Sequence, residues 1–420
     1  MTASQLTVTI RMYNPGFGDM FVVTVQGGEQ RWRAVVDCGA HTSGRVRPLR
    51  STVNQLLKDL RGNESVARVD AVIATHHHAD HIAGFALECW QEVEVGEVWL
   101  PFVEDRDDAD AQALRQTQVR IADKLLMLIA QRTRSLATGT WPVAIATARS
   151  FALNSRVNTA ATDRLLGRSE RGFANTPRVR FLPSTTPSDN VIATSIPNVT
   201  VHVLGPPRDA EFLKRMRPPS RAGWLALDYD TELVASGPGP LFAQAYVMDD
   251  QELHLPEYAH LRCDQQSIRK LDGVNDAGLL AAASVLERSV NNTSLFFVLD
   301  VAGTHLVFPG DAQEGAWQHV LGDPASRLLV SDAAFYKVSH HGSGNGTPRR
   351  YIEDDLKSQA YAMLPWGPVT RWNATIPKAA LIDGMSAHGH RVVRADKPTP
   401  EPGRVNVQAD MWSEVVFDVP

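Results

Sequence analysis

Four imidazoles and a carboxylate stand within six residues at His76-His77-His78-Ala79-Asp80-His81, where the apolar run 69–74 ends and a helix-like segment, 82–87, begins. Imidazole nitrogen and carboxylate oxygen are the ligands Zn²⁺ prefers among side chains without thiols. His76 and His78, two apart at the mouth of a strand, can reach one ion from the same side, while Asp80 and His81 lie past the bend and can point to a second. The spacing reads as a cradle for two metals. His77 alternates away from its neighbours and reads as a rim residue or as a support behind the ligands. A lone histidine on a turn would be a solvated polar group, but the density here and the complementary groups downstream argue against that.

Those downstream groups need elements to bring them to the same place. An apolar strand over 294–299, a glycine-containing turn over 301–304 and a return over 305–308 form a hairpin that delivers Asp311 to a sheet edge. A helix over 313–321 leads to a short strand over 335–338, so that His340 and His341 emerge at the same edge if the crossover is right-handed. A Gly-Asp turn alone is common. It is the convergence of three strand ends that makes a site.

The HxHxDH pattern resembles the metallo-β-lactamase superfamily, and other segments agree. Arg33-Ala-Val-Val-Asp37-Cys-Gly39 resembles its early strand, whose terminal Asp supports the metal ligands from behind. Leu306-Val-Phe-Pro-Gly310-Asp311 resembles the later strand whose Gly-Asp end supplies a carboxylate bridging both metals. Tyr336-Lys337-Val338-Ser339-His340-His341-Gly342-Ser343 resembles, more narrowly, the hydrolase domain of the DNA-uptake channel protein ComEC and its soluble relatives. Asn14-Pro-Gly16-Phe17-Gly18-Asp19, Val203-Leu204-Gly205-Pro206 and Asn291-Asn292-Thr293-Ser294-Leu295 resemble that subgroup too, and the likeness covers roughly 1–100, 178–207 and 290–398.

The chain departs from the pattern twice. The separate histidine that many relatives carry between the first cluster and the bridging Asp has only His202, His254 and His260 as candidates, none in a recognisable ligand context, and that position is left unassigned. Where ComEC-like domains carry Gly-His-Pro, this chain has Ala374-Thr375-Ile376-Pro377, with His388 and His390 further on.

Composition sets the frame. A chain of 420 residues that is 43% hydrophobic can bury a large core, as one domain over 1–420 with insertions at 104–177 and 208–289. No stretch approaches the ~20 apolar residues of a membrane span, and the start lacks a signal-peptide pattern, so a soluble cytoplasmic protein is expected. Cys38, Cys89 and Cys263, odd in number and widely spaced, fit reduced thiols. The net charge of −5 does not advertise nucleic-acid binding. Local basic groups do more: Arg164, Arg168 and Arg171 in the first insertion, Lys214, Arg215, Arg217 and Arg221 in the second, and Arg349 and Arg350 after the paired histidines. Apolar residues from Leu114 to Ile129 fall on one face of a helix over 110–134, preceded by an acidic run suited to its cap. A second helix is expected over 276–290.

The expectation is an α+β protein, an αββα metallo-β-lactamase-like sandwich with mainly helical insertions. Two Zn²⁺ ions, or Mn²⁺, are held by His76, His78, Asp80, His81, Asp311 and one of His340 and His341, with Asp37 behind them. Asp80 and the two late histidines are assigned catalytic roles, and Lys337, Ser343, Arg349 and Arg350 are assigned to substrate. The implied function is hydrolysis of a phosphodiester, in DNA or a nucleotide, through a metal-bridged hydroxide. The alternatives are an acyl hydrolase acting on a β-lactam, lactone or thioester, and a regulatory or sensor protein that keeps metals and binds a protein partner through its insertions.

Overall fold

Leu6, Val8, Ile10 and Met12 are buried while the alternate Thr7, Thr9 and Arg11 are half-buried on the other face, so the first strand is one-sided in the way its period-two pattern requires. The computed structural model describes residues 5–134, 141–155, 158–168, 170, 172–213, 215, 224, 275–357, 359–369 and 376–419. In chain order its strands are β1 (Leu6–Tyr13), β2 (Met20–Gly27), β3 (Gln30–Cys38), β4 (Ala67–Ile73), β5 (Val93–Pro101), β6 (Arg178–Leu182), β7 (Val191–Ala193), β8 (Val199–Gly205), β9 (Phe296–Val301), β10 (Thr304–Phe308), β11 (Ala333–Lys337), β12 (Tyr361–Leu364), β13 (Arg391–Arg394), β14 (Val405–Gln408) and β15 (Trp412–Val419). Its α-helices are α1 (Leu49–Arg61), α2 (Ala79–Ile82), α3 (Ala109–Thr133), α4 (Val143–Asn154), α5 (Thr159–Leu165), α6 (Ala210–Leu213), α7 (Asp276–Asn291), α8 (Glu314–Gly322), α9 (Pro324–Ser331) and α10 (Ala379–Ala387).

Two sheets result, in the orders β14-β15-β1-β2-β3-β4-β5-β6 and β13-β12-β11-β10-β9-β8-β7. Each is antiparallel on one side and parallel on the other, the change falling at β3 in the first and at β10 in the second. One apolar layer lies between the sheets, where Ile10, Val23 and Ile73 meet Val201, Leu299 and Phe335. A second layer packs α1 against the back of the first sheet through Val53, Leu56 and Leu57. The third packs α3, α4, α7 and α8 outside the second sheet around Trp317 and Tyr336. Helix, sheet, sheet, helix is the expected sandwich.

The element expectations compare closely. The helix expected over 110–134 is α3, and the side chain of Asp108, from the acidic run, caps it by accepting from the backbone of Asp110 and Ala111. The hairpin is β9 and β10, the 276–290 helix is α7, and the strand expected over 335–338 is β11, which begins two residues earlier. Among the described residues, no helix is long and apolar enough to cross a membrane. Cys38 and Cys89 are free thiols. Lys214, Arg171, Arg217, Arg221, His254, His260, Cys263 and the 374–375 stretch lie outside the described residues.

Candidate metal centre

The parallel strands β3 and β4 end side by side, as do β10 and β11, and the chain turns at those four ends carry the polar groups. At the end of β3, the Asp37 carboxylate accepts from the Thr75 backbone N–H, the Thr75 hydroxyl and His81 Nδ1, each at 2.7 Å. This fixes the His81 ring with Nδ1 as donor and turns Nε2 inward, 3.1 Å from Asp311 Oδ2. His341 repeats the device: Nδ1 donates to the Pro365 carbonyl at 2.9 Å, and Nε2 faces Asp80 Oδ2 at 3.3 Å and Asp311 Oδ2 at 3.5 Å without a hydrogen bond.

Asp19 comes from the β1–β2 turn. Its Oδ2 lies 2.5 Å from Lys337 Nζ and its Oδ1 has no hydrogen-bond partner. The turn fits only because Gly18, at φ 153°, has no Cβ, which would stand 2.6 Å from the Gly39 carbonyl and 2.7 Å from that of Asp80. Gly310, at φ 56°, lets the other half approach in the same way, since a Cβ there would lie 2.9 Å from that of Ser294 and 3.0 Å from that of Thr75. Asp37, His340 and His341 also have positive φ, at 55°, 47° and 51°. Side chains other than glycine are held in that region at a cost of about 1–3 kcal/mol each, and such strain gathers at functional sites.

Ligand atoms of Asp19, His81, Asp311 and His341 thus lie within 4.8 Å of one another, and all four residues are buried. Nearby, His76 Nε2 and His78 Nδ1 are 3.0 Å apart, close to the ~3.3 Å expected of two nitrogens on one tetrahedral ion with Zn–N of 2.0–2.1 Å. Ser294 Oγ, 3.2 Å from His76 Nδ1, also accepts from the Asp311 backbone at 3.1 Å and so joins the two halves.

Electrostatics test whether a cation fits. Asp19, Asp37, Asp80 and Asp311 are buried around one buried ammonium, Lys337, so with the histidines neutral four carboxylates against one cation leave a surplus of three negative charges. Burial opposes charge on His81, yet Asp311, Asp19 and Asp37 hold it well above the usual histidine range. His341 is raised by Asp311 and Asp80 against the same penalty. Burial would raise Asp80 and Asp311, but the histidines, with Lys337 at Asp311, hold both well below the carboxylate range. Protons on buried histidines stand where a divalent ion would do better, because unpaired buried charge is costly. Orphaned nitrogen and oxygen atoms, a charge deficit and locked tautomers together fit a metal.

A family model described as the metallo-beta-lactamase superfamily matches residues 13–89, from the end of β1 through the histidine loop. The two facing mixed sheets with helices outside have the αββα arrangement of a metallo-β-lactamase-like sandwich. A solved structure, the metallo-beta-lactamase fold protein YhfI from Bacillus subtilis, aligns over 99% of this chain and 99% of its own at 10% identity, with a TM-score of 0.37. No curated protein sequence matches the chain.

Within this sandwich the sequence-derived residues fall in distinct places. His81, Asp311 and His341 share the cluster, with Asp80 against His341; His76 and His78 pair beside it; and Asp37 lies behind His81. His340 lies next to the cluster, where Asn291 Nδ2 donates to its Nε2 at 3.1 Å and its Nδ1 donates to Asn345 Oδ1 at 3.2 Å. Burial lowers it to about 4, so it is neutral near pH 7. Lys337, assigned to substrate, is instead inside, bonded to Asp19, to Asp311 Oδ1 at 3.1 Å and to the Gly310 carbonyl at 2.8 Å. Ser343 donates to Asn345 Oδ1 at 2.6 Å. Arg349 and Arg350 are exposed and pair with Glu353 at 2.7 Å and Asp355 at 3.3 Å. Arg215 donates to Gln318. His202 is half-buried in β8, 3.9 Å from Asp300. Asp19 is the cluster member that the sequence reading passed over, although its Gly-x-Gly-Asp turn was the signal for it.

Proposed function

We propose that this chain is a dinuclear metal-dependent hydrolase whose substrate is a phosphodiester, in a nucleotide or in DNA. The observation that carries the metal reading is the buried cluster of Asp19, His81, Asp311 and His341, with its orphaned ligand atoms beside the His76–His78 pair. His76 and His78 would hold one ion; Asp80, His81 and His341 the other; and Asp311 would stand between them. Zinc suits a site of nitrogen and oxygen donors, and manganese is the second choice. Bound ions of this kind supply Lewis acidity toward a substrate oxygen and acidify water toward neutral pH.

The chain's own residues do the rest. Asp37 and the Pro365 carbonyl hold His81 and His341 with Nε2 turned inward, and Lys337 holds Asp311 by one oxygen, leaving the other toward the two imidazoles. His340, neutral and fixed by Asn291 and Asn345, is placed to take or give a proton at the rim. The phosphodiester assignment rests on the likeness of 336–343 to the ComEC hydrolase domain. One observation favours the acyl-hydrolase alternative: Lys337, Arg349 and Arg350 all have carboxylate partners, so none is a free cation for a phosphate.

A panel of bis-p-nitrophenyl phosphate, single- and double-stranded DNA, cyclic dinucleotides, a thioester and a chromogenic β-lactam, run with zinc- or manganese-loaded protein, separates the readings. Turnover confined to phosphodiesters is the expected result. Turnover confined to the thioester or β-lactam would replace it with the acyl hydrolase. Full metal occupancy with no turnover on any substrate would favour the sensor.

A further inference from the structure

The histidine loop is fastened from outside the sandwich as well as from within it. His77, turned away from its two neighbours, places Nδ1 2.8 Å from Glu104 Oε1, and the other oxygen of Glu104 takes Arg115 Nη1 of α3 at 2.6 Å. Glu104 is 3% exposed, so this ionised carboxyl is held deep in the protein by those two partners. The other nitrogen of His77 faces the Ser155 carbonyl at 3.3 Å. The hydroxyl of the same Ser155 is 3.3 Å from His78 Nε2, and Asn154 Oδ1 accepts from the Ala79 backbone at 3.0 Å, satisfying one of the free N–H groups at the start of α2. Three consecutive residues of the loop, 77 to 79, are therefore gripped by the end of α4.

That end of α4 is not isolated. Ala148, Phe151 and Ala152 of α4 share a core with Leu279, Ala283 and Leu286 of α7. The last residue of α7, Asn291, holds His340, and Ser294 just past the helix touches both His76 and Asp311. One pair of packed helices thus spans both halves of the cluster.

We propose that Ser155, Asn154 and Glu104 are positioning residues for the histidine loop, which makes the helical segment between β5 and β6 a structural part of the metal centre. The idea rests on the metal reading above, because Ser155 acts through His78. Partners behind metal ligands typically set affinity by 10–100-fold.

Cobalt(II) titration of metal-free protein, followed by its visible ligand-field spectrum, tests this. Ser155→Ala is expected to weaken one of the two bound ions 10–100-fold and change its spectrum. The melting temperature of the metal-free protein should stay at the wild-type value, and Ser155→Thr should restore affinity and spectrum. Glu104→Gln, which removes charge but keeps shape, is expected to shift affinity in the same direction. Wild-type affinity and spectrum in Ser155→Ala, or a loss that only tracks lower metal-free stability and is not rescued by Thr, would overturn the proposal. Failure of the wild-type protein itself to bind cobalt would overturn the metal reading instead, and the two failures are told apart by that control.

Discussion

Asp311→Ala is expected to lower the metal content from the proposed two ions per chain to one or none, to weaken the remaining affinity by ~100-fold and to abolish hydrolysis. The reason is positional. Asp311 Oδ2 is the oxygen that both His81 Nε2 and His341 Nε2 face, at 3.1 and 3.5 Å. Neither Asp19, held by Lys337, nor Asp37, saturated by Thr75 and His81, can replace it, and Asp80 faces His341 alone of the two imidazoles. Elemental analysis after chelator-free purification, beside activity on bis-p-nitrophenyl phosphate, checks this. Wild-type metal content in the variant would remove Asp311 from the centre.

Lys337→Met produces the second large effect, and it depends on metal. The ammonium has three bonds, to Asp19, Asp311 and Gly310, and lies in a fully buried space. Removing one partner of a buried ion pair leaves the other uncompensated, at a cost of about 3–5 kcal/mol. Metal-free Lys337→Met should lose stability of that order. Zinc should restore most of it, because divalent charge then faces the same carboxylates. Chemical denaturation with and without zinc measures the difference, and an equal loss in both states would show that Lys337 acts by packing alone.

The histidine loop was legible because all its chemistry is local: a strand end, a bend and alternating side chains. Asp311 and the paired histidines were legible at one remove, through the strand pattern of β9 to β11. What the sequence hid was set by tertiary approach. Asp19 reaches the cluster because the Gly18 backbone lies against Asp80, a contact over 60 residues away that only the missing Cβ permits. Lys337 reads as a substrate contact in a motif, yet it closes a strand buried at its end and finds two carboxylates from turns at other strand ends. Arg349 and Arg350 read as free cations, yet each pairs locally, Arg349 with Glu353 four residues on and Arg350 with Asp355 five residues on. His77, read as a rim residue or as a support behind the ligands, is 5% exposed and takes the second place, held by Glu104 and Ser155 from elements whose packing no local pattern reveals.

Native mass spectrometry of the metal-free protein titrated with zinc addresses the central claim most directly. The buried charge deficit and the two groups of inward-facing donors predict uptake of two ions per wild-type chain, with proton release as His81 and His341 give up the protons their carboxylate neighbours hold on them. A wild-type chain that takes up no zinc near neutral pH would contradict the account, because the cluster would then be a network of buried histidine–carboxylate pairs and not a metal centre.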